Sequence, residues 1–145
     1  MILLFGAPGA GKSMQGQMLA ARQGWKWLST GEMLRQSTDE EVIRTLKSGE
    51  LVSDELTYQV FEQAVQDARD KNYANIIVDG FPRTKEQAAW LDGYMERMGE
   101  EIDIVIALEV PESEIMTRLE KRGRMGDTPE AIAKRMTIYR QKMYP

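Results

Sequence analysis

Apolar residues along this chain form short continuous runs that alternate with longer segments of helical spacing. The runs "ILLF" (2–5), "NIIVD" (75–79) and "DIVIALEV" (103–110) are typical of strands buried on both faces, and "WKWL" (25–28) is a shorter strand candidate. Between them, apolar residues recur every three or four positions. Strands that alternate with helices predict an α/β fold with a parallel sheet, whose ligands bind at the carboxyl ends of the strands.

The helical segments begin and end at recognisable signals, such as Pro111 in a first turn and Gly49 after a last one. In the first helix we expect Met14, Met18 and Leu19 to share the apolar side. We predict helices over Lys12–Gln23, 30–37, 39–48, Asp54–Asp70, Lys85–Met98, Pro111–Arg122 and about Asp127–Met143.

The apolar positions of two helices are regular enough to name. The helix from Asp54 should bury one stripe, and the last helix another, with Asp127 and Glu130 as its capping pair. The two stripes are Leu56, Val60, Phe61, Ala64 and Ala68, and then Ile132, Met136, Tyr139 and Met143.

Composition narrows the chemistry that this chain can perform. Its 145 residues suit one domain, and it contains neither cysteine nor histidine. Disulfides, thiolate metal sites and histidine catalysis are therefore excluded, and we expect no zinc site, since only carboxylates could bind the ion. We expect a cytoplasmic protein, because no signal peptide or bilayer-spanning apolar run is visible.

Charge is distributed unevenly along the chain. The net charge is −4, yet residues 118–145 carry eight basic against three acidic side chains. The acidic remainder argues against general nucleic-acid binding. We also expect no membrane association, since no apolar run is long enough to span a bilayer. The basic end is either a solvated helix face or one wall of an anion site.

The first predicted strand runs into "GAPGAGKS" (6–13), which fits G-x-x-x-x-G-K-[ST] between a strand and a helix. Glycines allow successive backbone N–H groups to face inward, and the helix dipole and Lys12 add positive charge. The sequence therefore predicts a binding site for a phosphate chain. The alternative is a glycine-rich turn without a ligand.

Two other strand ends carry candidate residues. Asp79 lies where such proteins keep a carboxylate for Mg²⁺, and Arg83 follows in a Gly/Pro turn. Arg83 alone would be taken for a surface residue, but beside a phosphate loop it is a candidate clamp on a second phosphate. Ser29 or Thr30 could cap the next helix or contact a ligand, and spacing leaves both open.

Basic residues cluster again near the end of the chain. Glu120 is the one acidic residue between Arg118 and Arg124, so most of the positive charge in this stretch lacks a counter-charge. This favours a phosphate-binding wall over a solvated helix face. The cluster comprises Arg118, Lys121, Arg122, Arg124 and Arg135.

Taken together, the ordered motifs "GAPGAGK", "STGEMLR", "GELVSDE", "DGFPRTKEQ" and "RGR…D…R…Y" resemble the adenylate kinase family of nucleoside monophosphate kinases, from Met1 to about Pro145. The resemblance implies a three-layer P-loop NTPase fold with a parallel sheet, a small helical AMP-binding part at about 30–53 and a lid. It also implies the reversible, Mg²⁺-dependent conversion of ATP and AMP into two ADP.

The same resemblance implies a role for each matching residue. Lys12 would contact the transferring phosphoryl group, Arg118 would stack near the ATP base, and Gln87 would read the AMP base. Catalysis would fall to Lys12, Arg83, Arg122, Arg124 and Arg135. ATP would be bound by Gly9, Ala10, Gly11, Lys12, Ser13, Met14, Arg118 and Arg122. AMP would be bound by Thr30, Arg35, Glu50, Leu51, Val52, Gly80, Phe81, Pro82, Arg83, Gln87, Arg124 and Arg135. Asp79 would hold Mg²⁺ through water, with Ser13 as a second candidate.

The chain departs from the family pattern in three places. Ser13-Met14 replaces the usual Gly-Thr, and the lid is reduced to a vestige at about 122–127, so weaker exclusion of water and some ATP hydrolysis are expected. The final strand and helix of the family are absent. The strand at 103–110 would then present a bare apolar edge, which suggests a fragment or a covered edge. A full-length chain is expected to be monomeric.

Other functions remain open from the sequence. A UMP/CMP kinase on the same scaffold is one, because base choice rests on few contacts. A catalytically impaired nucleotide-binding homologue is another. An unrelated P-loop ATPase or small-molecule kinase would leave the AMP-side motifs unexplained.

Overall fold

The computed structural model describes residues 1–124 and 126–143, and these contain a sheet of four parallel strands. The strands are β1 (Ile2–Gly6), β2 (Lys26–Ser29), β3 (Ile76–Asp79) and β4 (Ile104–Leu108). Their order across the sheet is β2-β3-β1-β4, and each neighbouring pair is parallel. The predicted α/β fold is confirmed. The carboxyl ends of all strands consequently meet at one edge of the sheet.

Helices follow the strands at nearly the predicted bounds. They are α1 (Lys12–Gln23), α2 (Thr30–Arg35), α3 (Glu40–Ser48), α4 (Asp54–Asp70), α5 (Lys85–Met98), α6 (Glu112–Arg122) and α7 (Pro129–Ile138), with a π-helical turn at Tyr139–Met143. Side-chain caps define several starts, as where the Ser53 hydroxyl accepts a hydrogen bond from the Leu56 N–H. None of the described helices has the length and apolarity that crossing a bilayer requires.

An aromatic cluster fills the space between the sheet, α4 and α5. Phe61 and Phe81 are almost fully buried, and their ring centroids lie 4.7 Å apart. Trp90 stacks on Tyr58 with 4.0 Å between centroids and on Tyr94 with 5.3 Å. Because Phe81 follows β3 directly, this packing anchors the turn that carries Arg83.

The buried side of α1 differs from the prediction. Met14 and Met18 are 66% and 46% exposed, whereas Gly16 and Ala20 are buried. A Cβ added to Gly16 would lie 2.8 Å from Leu4, so a small residue is what allows α1 to approach the sheet. Met14 and Met18 are thereby turned away from the core, whereas Leu19 is partly buried and packs against it as predicted.

The last helix also begins differently from the prediction. Thr128, not Asp127, caps α7 by accepting a hydrogen bond from the Ala131 N–H. Asp127 instead accepts hydrogen bonds from arginine side chains, which leaves its carboxylate no part in the cap. The α-helix ends at Ile138 rather than Met143.

Strand β4 forms one edge of the sheet, and the prediction that it is buried on both faces was wrong. It pairs with β1 alone within residues 1–124 and 126–143, and Ile104 and Val105 are 52% and 57% exposed. The bare apolar edge expected from the sequence is therefore present in the described chain.

Truncation of the central aromatic ring gives a test of this core. We expect Phe61→Ala to lower the free energy of unfolding by about 3–5 kcal/mol, because it leaves a cavity among tightly packed rings. The exposed Gln59→Ala on the same helix should change it by less than about 0.5 kcal/mol. Urea denaturation of both variants measures the difference, and similar values would contradict the described core.

Candidate active site

A cavity of about 670 Å³ opens at the carboxyl edge of the sheet. Its wall includes Gly6, Ser29 and Asp79, the last residues of β1, β2 and β3. Lys12, Arg83, Arg118, Arg122, Arg124 and Arg135 line the same cavity. Cationic groups that are far apart in the chain therefore surround one volume, as a site for several phosphates requires.

The loop between β1 and α1 contains backbone conformations that glycine adopts far more readily than other residues. Gly9 and Gly11 have φ angles of 82° and 98°. A Cβ on Gly9 would lie 3.0 Å from Leu119 of α6, so this loop is also closely packed from behind. Lys12 Nζ donates hydrogen bonds to the carbonyls of Gly6 (2.8 Å) and Ala7 (3.0 Å), which holds the ammonium inside the loop.

The environment of Lys12 makes its charge costly. Burial lowers its pKa from 10.5 to about 8, and the positive charges of Arg83 and Arg122 act in the same direction. The Asp79 carboxylate opposes them. A bound anion would stabilise the charged form of Lys12 strongly, because it supplies a counter-charge that the site lacks.

Ser13 and Asp79 meet at the start of α1. The Ser13 hydroxyl donates a hydrogen bond of 2.6 Å to Asp79 Oδ2. Two hard oxygen donors lie next to the phosphate loop, which suits an ion that takes its other ligands from phosphate and water. The described residues contain no group of three or more acidic, histidine or cysteine side chains able to hold a metal alone.

The turn after β3 fixes the guanidinium of Arg83, a partly buried residue. Its Nε donates to the Gly80 carbonyl at 2.6 Å, and the Thr30 hydroxyl donates to the same oxygen at 3.1 Å. Burial lowers the pKa of Arg83, opposed by Asp79 and assisted by the charges of Arg35 and Arg135. At the end of β2, Ser29 caps α2 by accepting from the Glu32 N–H, while Thr30 braces the Arg83 turn, and both residues also line the cavity.

The expectation that the basic residues near the chain end lack compensating charge was wrong. Asp127 accepts two hydrogen bonds of 2.8 Å from Arg122 and one of 2.7 Å from Arg135. Burial by itself would raise the pKa of Asp127, but these hydrogen bonds outweigh it and lower the pKa. Arg118 pairs with Glu114 one helical turn earlier. The wall is therefore organised by carboxylates that sequence spacing did not reveal.

The helical part at 30–53 contacts α7 across the cavity mouth. Arg135 Nη2 donates to the Leu46 carbonyl at 3.0 Å, and Lys134 pairs with Glu50. A Cβ on Gly49 would lie 2.6 Å from the Ala131 carbonyl oxygen. These contacts hold α3 and the loop after it against α7, and Leu46, Gly49, Glu50 and Arg135 all line the cavity.

Nearly all residues predicted for the site line this cavity. There are two exceptions among the described residues. The ring of Phe81 belongs to the aromatic core although its backbone belongs to the Arg83 turn, and Lys121, predicted as part of the basic wall, is exposed and does not line the cavity. Lining residues that the sequence reasoning missed include Leu46, Thr57, Ile138 and Met143. Their residue types carry no chemical signal, so only their position in the fold could have identified them.

Comparison with known proteins gives a consistent result. The model of a family described as adenylate kinase matches residues 4–145. An adenylate kinase of Mycolicibacterium paratuberculosis is 39% identical over 150 residues, which cover 99% of this chain and 82% of that protein. Adenylate kinases of Mycobacterium tuberculosis and Mycobacterium ulcerans are 38% and 37% identical over the same shares.

The displaced pKa of Lys12 predicts a specific pH dependence of stability. Between about pH 8 and 10.5 the unfolded chain holds the Lys12 proton and the folded protein does not, so stability rises with pH in this window. Below pH 8 the cost of burying the charge is fully present. The replacement Lys12→Met removes the titrating group.

From pH 7 to pH 9.5 the wild type should gain about 1–2 kcal/mol of unfolding free energy relative to Lys12→Met. Urea denaturation of both proteins at the two pH values measures this gain. A difference between the two proteins that stays constant with pH would contradict the buried, charge-strained Lys12.

Proposed function

This chain belongs to the adenylate kinase family and is a phosphotransferase, and we propose that it catalyses the reversible, Mg²⁺-dependent transfer of a phosphoryl group from ATP to AMP, giving two ADP. The observation that carries this proposal is the shared cavity of Lys12, Arg83, Arg122 and Arg135. Cations from four chain segments around one volume suit two phosphate chains that meet end to end, because transfer requires donor and acceptor in line.

We assign the ATP phosphates to the phosphate loop, residues 9–14. Lys12 would leave the Gly6 and Ala7 carbonyls to follow the transferring phosphoryl group, and Arg122 would grip the same phosphate chain. Arg118 reaches the Ala10 carbonyl at 3.4 Å, so its side chain lies beside this loop, where it would contact the base. Met14 and Ser13 replace the family's Thr and Gly at the end of the loop.

We assign AMP to the opposite half of the cavity. Arg83 would clamp its phosphate, since its guanidinium is already oriented by Gly80 and needs little reordering. Thr30, Arg35, the loop 50–52 and Gln87 line the cavity and would form this half, with Gln87 toward the base. Arg124 and Arg135 would converge on the group in transfer.

Mg²⁺ fits the pair formed by Ser13 and Asp79. The two oxygens are 2.6 Å apart beside the phosphate loop, and the remaining ligands would be phosphate oxygens and water. When bound, the ion neutralises charge on the phosphates. Asp79 would act through water or directly, and Ser13 would supply a hydroxyl ligand.

The protein's own contribution to the reaction is positioning and charge neutralisation. No side chain needs to form a covalent bond, because an oxygen of the AMP phosphate is itself the nucleophile. The cationic side chains would follow the charge as it moves from the ATP leaving oxygen to the new bond. Contact between the 30–53 part and α7 would keep water from competing.

A UMP/CMP kinase is the alternative with the same phosphate chemistry. The residues that carry phosphate binding do not discriminate between these acceptors, so base choice must be measured. An impaired nucleotide-binding homologue is less favoured, since Lys12, Asp79 and Arg83 all line the cavity. The cytoplasmic location expected from the sequence remains a prediction.

A coupled assay for ADP formation with ATP, Mg²⁺ and AMP, CMP or UMP tests the proposal. AMP should be the best acceptor, and Arg83→Met should lower kcat/KM for AMP by at least about 10²-fold because one preorganised cation is lost. Arg44→Met, on the exposed side of α3, is the matched control and should leave the rate unchanged. Absence of ADP formation, or equal rates in the two variants, would overturn the assignment.

The short connection between α6 and α7 predicts a side reaction. Residues 123–128 join these helices where many family members carry a lid, so water should reach the bound ATP more easily. We expect a phosphate-release assay to find ATP hydrolysis in the absence of AMP at a rate that is not negligible beside the rate of transfer to AMP. Hydrolysis that is negligible beside transfer would contradict this.

A further inference from the structure

The amide of Gln87 is held from both ends by hydrogen bonds. Gln87 is 2% exposed, its Oε1 accepts from the Arg83 backbone N–H at 2.7 Å, and its Nε2 donates to Asp54 Oδ1 at 2.8 Å. Asp54 lies in the first turn of α4, directly after the loop 50–52, while Gln87 and Arg83 lie at the start of α5 and in the turn before it. One side chain thus connects three segments of the cavity wall.

These two partners allow only one orientation of the amide. A backbone N–H can only donate, so it must face the amide oxygen. An ionised carboxylate can only accept, so it must face the amide nitrogen. Rotation of the amide by half a turn would place its NH₂ group against the Arg83 N–H and its oxygen against the Asp54 carboxylate. Both hydrogen bonds would be lost, which is costly for a buried amide.

The rest of the amide is available to a ligand. Within the described chain, the Gln87 amide makes two hydrogen bonds, one to Asp54 and one from the Arg83 backbone. One N–H of its nitrogen and one lone pair of its oxygen therefore remain without a partner among the described residues. Gln87 lines the cavity together with Leu51, Val52 and Thr57. A planar base bound between these residues would face the free oxygen lone pair and the free N–H of the Gln87 amide side by side. The orientation of the amide decides which edge atom of the base meets the acceptor and which meets the donor.

We propose that Asp54 is a specificity-determining positioning residue, which selects a 6-amino over a 6-oxo base in the acceptor nucleotide by locking the Gln87 amide. This inference rests on the proposed function, in which Gln87 faces the acceptor base. Adenine presents an acceptor at N1 beside an amino donor, whereas hypoxanthine presents an N1–H donor beside an oxygen acceptor. An amide that could turn over would satisfy either base equally, so Gln87 discriminates only while its orientation is fixed.

The chemistry of the lock also predicts which substitutions preserve it. Asp54→Asn keeps a carbonyl oxygen that can accept from Gln87 Nε2, whereas Asp54→Ala removes the acceptor. Glu55 is the neighbouring acid of the same first turn and is exposed. Glu55→Ala therefore removes the same helix-terminal charge without touching Gln87 and is the matched control.

The test is the ratio of kcat/KM for AMP to kcat/KM for IMP, with ATP as donor, in the wild type and these variants. We expect Asp54→Ala to reduce the ratio by about tenfold or more, mainly through KM, as loss of one paired base edge does elsewhere. Asp54→Asn and Glu55→Ala should keep the wild-type ratio within about twofold. Titration of AMP and IMP by calorimetry should reproduce the change as a change in Kd.

A purely structural role for Asp54 would lower activity toward both acceptors and leave the ratio unchanged, which would overturn the inference while the kinase assignment stands. An equal loss of the ratio in Glu55→Ala would also overturn it. If Asp54→Ala does not fold, Asp54→Leu, which keeps the branched side-chain skeleton but offers no acceptor, must give the same loss. Failure of the wild type to phosphorylate AMP at all would instead reject the proposed function, and this inference with it.

Discussion

Partial burial of several cations around one cavity, together with their mutual repulsion, is the constraint on which the site depends. Lys12, Arg83, Arg122 and Arg135 line one cavity, and the pKa values of Lys12 and Arg83 are both lowered by burial and by neighbouring positive charge. Such an arrangement is stable only where anionic or dipolar partners compensate it. Every other feature of the site can be understood as a way of providing those partners or of leaving room for a ligand that does.

Two carboxylates and several backbone carbonyls supply the compensation. Asp79 counters the charges of Lys12 and Arg83, and Asp127 bridges Arg122 and Arg135. The carbonyls that accept from cationic side chains include those of Gly6, Ala7, Ala10, Leu46, Gly80 and Gly126. Most of these lie in turns rather than in sheet ladders, so their oxygens are available, and a phosphate chain could replace them as partners without breaking secondary structure.

Much of this could be predicted from local patterns, and the failures have a common cause. The bounds of α4 and α5 were predicted to the residue because their caps and apolar spacing are local. The exposure of Met14 could not be predicted, because the same spacing fits two faces of α1 and a glycine contact with Leu4 selects one. Likewise an apolar run such as Ile104–Leu108 reads the same in a central strand and an edge strand, and only strand order distinguishes them.

The phosphate loop could be recognised without the fold, because the glycines that shape its backbone and the Lys12 and Ser13 side chains all lie within eight consecutive residues, 6–13. Strand alternation and the absence of cysteine and histidine were likewise readable from the chain alone. The pairing of Asp127 with two arginines, and of Asp54 with Gln87 across 33 positions, was not. Hydrogen bonds between distant segments depend on how helices dock on the sheet, and docking is set by packing over the whole core rather than by any short stretch of residues.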